Sequence, residues 1–71
     1  MLEKIIIYGK PGWPYTKKAL DAYGENVEYY DVKADDKKME EMLKLSGGIR
    51  KVPVIVEKGK VIVGFGGAWM V

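Results

Sequence analysis

The chain of 71 residues contains neither cysteine nor histidine. Those two absences exclude disulfides, thiolate nucleophiles, most zinc sites and the usual neutral-pH proton shuttle. Charge of one sign is also lacking: 12 Lys and Arg stand against 10 Asp and Glu, for a net charge of +2. Apart from Lys17-Lys18 and Lys37-Lys38 the charges are mixed along the chain, so no nucleic-acid partner is expected. There is no apolar run of about 18 residues, and Met1-Leu2-Glu3-Lys4 leads directly into a short strand-like run, too short for a signal segment. No membrane association and a cytoplasmic location are therefore expected. With 48% hydrophobic and 31% charged residues, and no repeat, linker or low-complexity stretch, the sequence reads as one domain over residues 1–71. A domain of this size buries only about 60% of the surface its unfolded chain exposes.

The short β-branched run Ile5-Ile6-Ile7-Tyr8, stopped by Gly9, predicts a first strand buried on both faces. From Pro14 to about Tyr23 the apolar residues Tyr15, Ala19, Ala22 and Tyr23 recur at helical spacing, and Gly24 supplies a stop. Val27 to Val32 is rich in β-formers and predicts a second strand, which completes a βαβ unit with parallel pairing. A second helix follows, capped by Asp35 or Asp36, with Met39, Met42 and Leu43 as its inner stripe and Glu40 to Lys44 as a supporting pair. Gly47 and Gly48 end it. Val52 to Val56 and Val61 to Val63, around a turn containing Gly59, predict an antiparallel hairpin. The order β-α-β-α-β-β fits an α/β fold with a four-stranded mixed sheet.

One stretch is locally inconsistent. Pro14 suits the first position of a helix, which makes Trp13 the N-cap. An N-cap wants an oxygen acceptor or an anion, and indole offers only a donor. Lys17 and Lys18 sit in the first turn, where cations oppose the helix dipole, unless they serve as a solvated face or attract an anion. A negative group is expected at this helix start, and Trp13 does not supply one.

The element order, the Trp13-Pro14-Tyr15-Thr16 loop opening the first helix, the Val52-Pro53 pair opening the third strand and the Gly66-Gly67 pair after the fourth resemble glutaredoxin, the small thioredoxin-fold oxidoreductase. The resemblance covers nearly the whole chain, with the C-terminal helix of that fold absent. In the family Cys-Pro-Tyr-Cys stands where Trp13-Pro14-Tyr15-Thr16 stands here, so both sulfur positions are altered. Monothiol members work with the first sulfur alone, which makes Thr16 a tolerable change. The chain is most similar to the small UXX-star glutaredoxin-like selenoproteins, in which selenocysteine-Pro-Tyr-Thr follows Tyr-Gly-Lys-Pro-Gly and Gly-Phe-Gly-Gly comes near the end. Tyr8 to Gly12 and Gly64 to Gly67 fit that pattern. Selenocysteine is encoded by UGA, one base from the Trp codon UGG, so the resemblance implies that Trp13 occupies a selenocysteine or cysteine position.

The resemblance implies a thiol or selenol disulfide oxidoreductase, with glutathione as co-substrate and no covalently bound cofactor or metal. Trp13 and Thr16 take the catalytic positions. Lys10, Pro14, Tyr15, Val52, Pro53, Gly66 and Gly67 take the substrate-binding ones, with Val52 before a cis proline pairing to the glutathione backbone. Thr16 would donate its hydroxyl to an anion at position 13. An acidic residue usual after Gly-Gly is replaced by Ala68 and Trp69. As written, Trp13 has no redox chemistry, and its indole is expected to fill part of the glutathione groove. Expected partners are glutathione or protein disulfides, with a weak homodimer through a sheet face left uncovered. The alternatives are a redox-dead module that binds through Trp13, Tyr15 and Trp69, and a structural or assembly role.

Overall fold

The computed structural model describes residues 4–71; the start of the chain, read above for a leader, lies largely outside the described residues. Nine of its core positions are almost fully buried hydrophobics, and they divide between two faces of one sheet. That sheet has the order β2-β1-β4-β5, formed by β1 (Ile5–Gly9), β2 (Val27–Asp31), β4 (Val54–Glu57) and β5 (Lys60–Val63). β1 pairs parallel with β2 and antiparallel with β4, and β4 pairs antiparallel with β5, so the sheet is mixed as predicted. Successive strand residues face opposite ways. Ile7 and its register partner Ile55 face the helix over Pro14–Tyr23, while Tyr8 and its partner Val54 face the helix over Asp36–Leu45. The central strand is covered on both sides, and for that reason it reads in sequence as a continuous apolar run.

Helix α1 spans Pro14–Tyr23 and ends at Gly24, whose positive φ of 74° suits glycine and whose N–H donates to the Leu20 carbonyl. Its inner face differs from the predicted stripe. Thr16 and Ala19 are buried, Leu20 and Tyr23 are half-buried, and Ala22 is exposed. The helix turns the small Thr16 toward β1, against Gly9. Close approach requires Gly9 there: a Cβ at Gly9 would lie 2.5 Å from Thr16 Cγ2 and 3.1 Å from Tyr29 Cε1.

Helix α2 spans Asp36–Leu45, capped by Asp35, whose carboxylate accepts from the Lys37 and Lys38 N–H groups. Met39 and Met42 are buried among Tyr8, Val32, Val52 and Val54, so this methionine stripe is core. The predicted Glu40–Lys44 pair is replaced by Lys38–Glu41 at 3.1 Å. Glu41 is drawn that way because it also accepts from the Tyr8 hydroxyl at 3.0 Å. The same bond and, above all, burial push the Tyr8 phenol up to about 12.

The predicted third strand is divided. Val52 and Pro53 are joined by a cis peptide bond, and Val52 belongs to a separate strand, β3 (Lys51–Val52). β3 pairs antiparallel with β6 (Trp69–Met70), with Lys51 opposite Met70 and Val52 opposite Trp69. This small second sheet was not foreseen, because a two-residue strand after three glycines carries no periodic signal. The β4–β5 turn at Lys58-Gly59 has positive φ at both residues (49° and 79°), the geometry of a two-residue hairpin.

Candidate functional site

The site forms where the α1 start, the Val52–Pro53 bond and the glycine turn after β5 meet. Trp13 is the N-cap, extended at φ −79° and ψ 126°, and its side chain caps nothing. Its N–H donates to the Lys10 carbonyl at 3.3 Å, and its carbonyl accepts from the Lys17 N–H at 3.1 Å. The first turn holds no acidic residue. The positive end of this helix therefore faces the site without a countercharge from its own turn.

The indole of Trp13 is used in packing instead. It stacks on Trp69 with centroids 5.2 Å apart and planes at 12°, and Trp69 lies 6.5 Å from Tyr15 at 23°. Lys10 Nζ lies 4.8 Å from the Trp13 ring, and Lys18 Nζ lies 5.3 Å from the Tyr15 ring. The result is a layered stack of cation, three aromatics and cation. Tyr15 also lies flat on Gly67, where a Cβ would come within 2.6 Å of the ring, and near Gly66, whose φ is 80°. The glycine pair thus admits the tyrosine ring. Pro53 is held to the same turn by its carbonyl, which accepts from the Gly64 N–H at 2.7 Å.

The structure brings Lys10, Trp13, Tyr15, Val52, Pro53, Gly66 and Gly67 together through these contacts. Pro14 is exposed at the helix start. Val52 is fully buried and stands opposite Trp69, so the backbone edge that the resemblance assigns to a ligand is taken by β6. Thr16 faces inward: it is 2% exposed, and its Oγ1 has no hydrogen-bond partner in the protein.

A cavity of about 510 Å³ opens beside the loop, with Lys10, Trp13, Thr16, Lys17, Leu20 and Tyr29 in its walls. Sequence reasoning missed Tyr29 here. Alternation along β2 puts it on the α1 face, beside Thr16 and over Gly9. Burial, and then the Asp31 carboxylate, raise its phenol above the ordinary tyrosine value. Among the described residues no helix is long and apolar enough to cross a membrane, and no cluster of His, Cys, Asp and Glu could hold a metal.

No curated protein matches the chain. A crystal structure of a glutaredoxin from Archaeoglobus fulgidus is similar to it, with a TM-score of 0.75 and 24% identity, covering 90% of this chain and 77% of that one. At that identity the likeness speaks for the thioredoxin-type fold. The glutaredoxin family model matches residues 5–62, and with the strand order and loop convergence described above, the chain belongs to the glutaredoxin family.

Proposed function

We propose that this chain is a thiol or selenol disulfide oxidoreductase scaffold, glutathione-linked and cytoplasmic, in which Trp13 stands at the position of the catalytic chalcogen. As written it is redox-inactive. The observation that carries the proposal is the bare N-terminus of α1 at Trp13, set among Lys10, Lys17 and Lys18 and stacked onto the strand that pairs with Val52. A thiolate or selenolate there is stabilised by free N–H groups and the dipole, which lower a cysteine pKa from about 8.5 toward 3.5 to 7.5 in such sites. The anion attacks the glutathione sulfur of a glutathione mixed disulfide; the S–S bond breaks, glutathione becomes bound to position 13, and the departing substrate thiolate takes a proton. A second glutathione thiolate then attacks the glutathione sulfur of that intermediate, forming glutathione disulfide and releasing the anion at position 13.

The UXX-star resemblance supports reading position 13 as a UGA-encoded selenocysteine in the natural gene. A UGG codon there, with no selenocysteine insertion signal downstream, would contradict that reading. The activity test is Trp13→Cys, alone and combined with Trp69→Ala to free the Val52 edge. Glutathione-dependent disulfide reductase activity in either variant, with none in the chain as written, supports the proposal. Folded but inert variants favour the second reading, a redox-dead module that binds through its aromatic stack.

The proposed weak homodimer draws on exposed Val61 and Ile62 along β5. β5 is the last strand of the sheet, and the pair would form through the sheet face left uncovered beside it. A monomer mass unchanged up to high concentration in sedimentation would exclude it.

A further inference from the structure

Beyond β5 the chain turns back across the site in two unequally held parts. Phe65 packs against the cluster of Ile7, Ala19 and Ile55 and meets the Tyr23 ring at 5.8 Å, which fixes the first part to the main core. Gly66 and Gly67 follow, and then β6. Among the described residues the β3–β6 pair is a sheet of its own, separate from the four-stranded sheet. Trp69 is half-exposed and Met70 mostly exposed.

β6 is held by its short ladder to β3, by the Val71 N–H donating to the Arg50 carbonyl at 3.2 Å, and by Arg50 Nε donating to the Val71 oxygen at 2.6 Å. Val71 also packs against the cluster that contains Val52, and the Trp69 ring stacks on Trp13. A two-residue ladder with exposed side chains has the features of a segment that opens locally, well below the cost of global unfolding. The stack is the hold with the largest apolar area, and it depends on the side chain at position 13. A chalcogen residue there presents no ring to Trp69. The form able to do redox chemistry is therefore also the form that holds β6 less firmly.

We infer that β6 is an autoinhibitory strap: it opens as a unit about Gly66-Gly67, closes over the backbone edge of Val52, and is latched shut by the side chain at position 13. Its inhibitory role rests on the proposal above that the Val52 edge receives the ligand. Closed, Trp69 stands opposite Val52 and ligands are kept off that edge. Open, the edge is free while Phe65 keeps the preceding turn in place.

The test begins with native-state hydrogen exchange on the full ¹⁵N-labelled chain. The Val71 amide exchanges faster than the amides of Ile6 to Tyr8, and about 1 M urea accelerates those β1 amides much more than Val71, because strap opening exposes little surface. Trp13→Cys speeds Val71 exchange about tenfold, and Trp13→Phe, which keeps a ring, speeds it less. The chain has no cysteine of its own, so Lys51→Cys with Met70→Cys, opposite each other in the ladder, forms a single disulfide of suitable span. Its oxidation slows Val71 exchange and its reduction restores it. In the glutathione-dependent reductase assay, Trp69→Ala raises the activity of the Trp13→Cys protein about threefold or more. The inference is overturned if Val71 exchanges together with β1 at every urea concentration, or if the two Trp13 variants accelerate it equally. It is also overturned if an active Trp13→Cys protein is indifferent to Trp69→Ala. Inert Trp13→Cys proteins, with and without Trp69→Ala, whose Val71 exchange behaves as described, support the strap and count against the oxidoreductase reading instead.

Discussion

Replacing Trp69 with alanine tests whether β6 is held mainly by the aromatic stack. Trp69 is 49% exposed, so about half of its side chain is removed from water. An aromatic side chain of this kind buries about 150–250 Å² when fully enclosed; half of that, at about 25 cal/mol per Å², is roughly 2–3 kcal/mol. A compact unfolded chain reduces the figure by about 10–40%. Stacking on Trp13 at 5.2 Å and 12° adds about 0.5–1.5 kcal/mol. The expected loss is therefore about 2–4 kcal/mol, which for a domain of this length lowers Tm by roughly 10–30 °C. Met70, its neighbour on β6, is 74% exposed and should cost well under about 1 kcal/mol on the same area reasoning. Urea unfolding followed by far-UV circular dichroism measures both. Equal, small losses for Trp69→Ala and Met70→Ala would refute the stack as the clasp.

Gly9→Ala places a Cβ 2.5 Å from Thr16 Cγ2 and should cost about 1–3 kcal/mol by overpacking, read as a lower urea midpoint. Asp35→Ala removes acceptors for the Lys37 and Lys38 N–H groups and should cost about 1 kcal/mol in the same assay. Tyr8 gives a pH prediction. Unfolded, its phenol releases a proton near 10.0, whereas the folded chain holds it to about 12. Stability is therefore full below about pH 10 and falls as pH rises toward 12. Tyr29 acts in the same direction. Tyr8→Phe should flatten that alkaline decline, and an unchanged pH slope would contradict the assignment.

The elements with strong periodicity or clear punctuation were legible in the sequence. Ile5-Ile6-Ile7-Tyr8 is continuous because β1 is covered on both faces, and Pro14 and Gly24 mark both ends of α1. The Asp35 cap and the Met39–Met42 stripe likewise follow from local chemistry. The phase of α1 did not. Ala19 and Ala22 are equally apolar, and only the tertiary fit of Thr16 on Gly9 decides which side is buried. The β3–β6 pair was hidden because its partners are two residues each and seventeen positions apart, from Val52 to Trp69. The site residues were legible only through the family pattern, whereas Tyr29 needed the strand register to bring it beside Thr16. The misfit of Trp13 as a cap was visible from the outset, and the structure shows where its ring goes: onto Trp69 rather than to the helix end.

The central claim is that the start of α1 is built to hold an anion at position 13. The most direct measurement is the thiol pKa of the Trp13→Cys variant, from thiolate absorbance at 240 nm against pH in the folded protein. The helix terminus and nearby lysines predict a value depressed into about 3.5–7.5. A value at or above the ordinary 8.5 or so of a free cysteine would contradict the account.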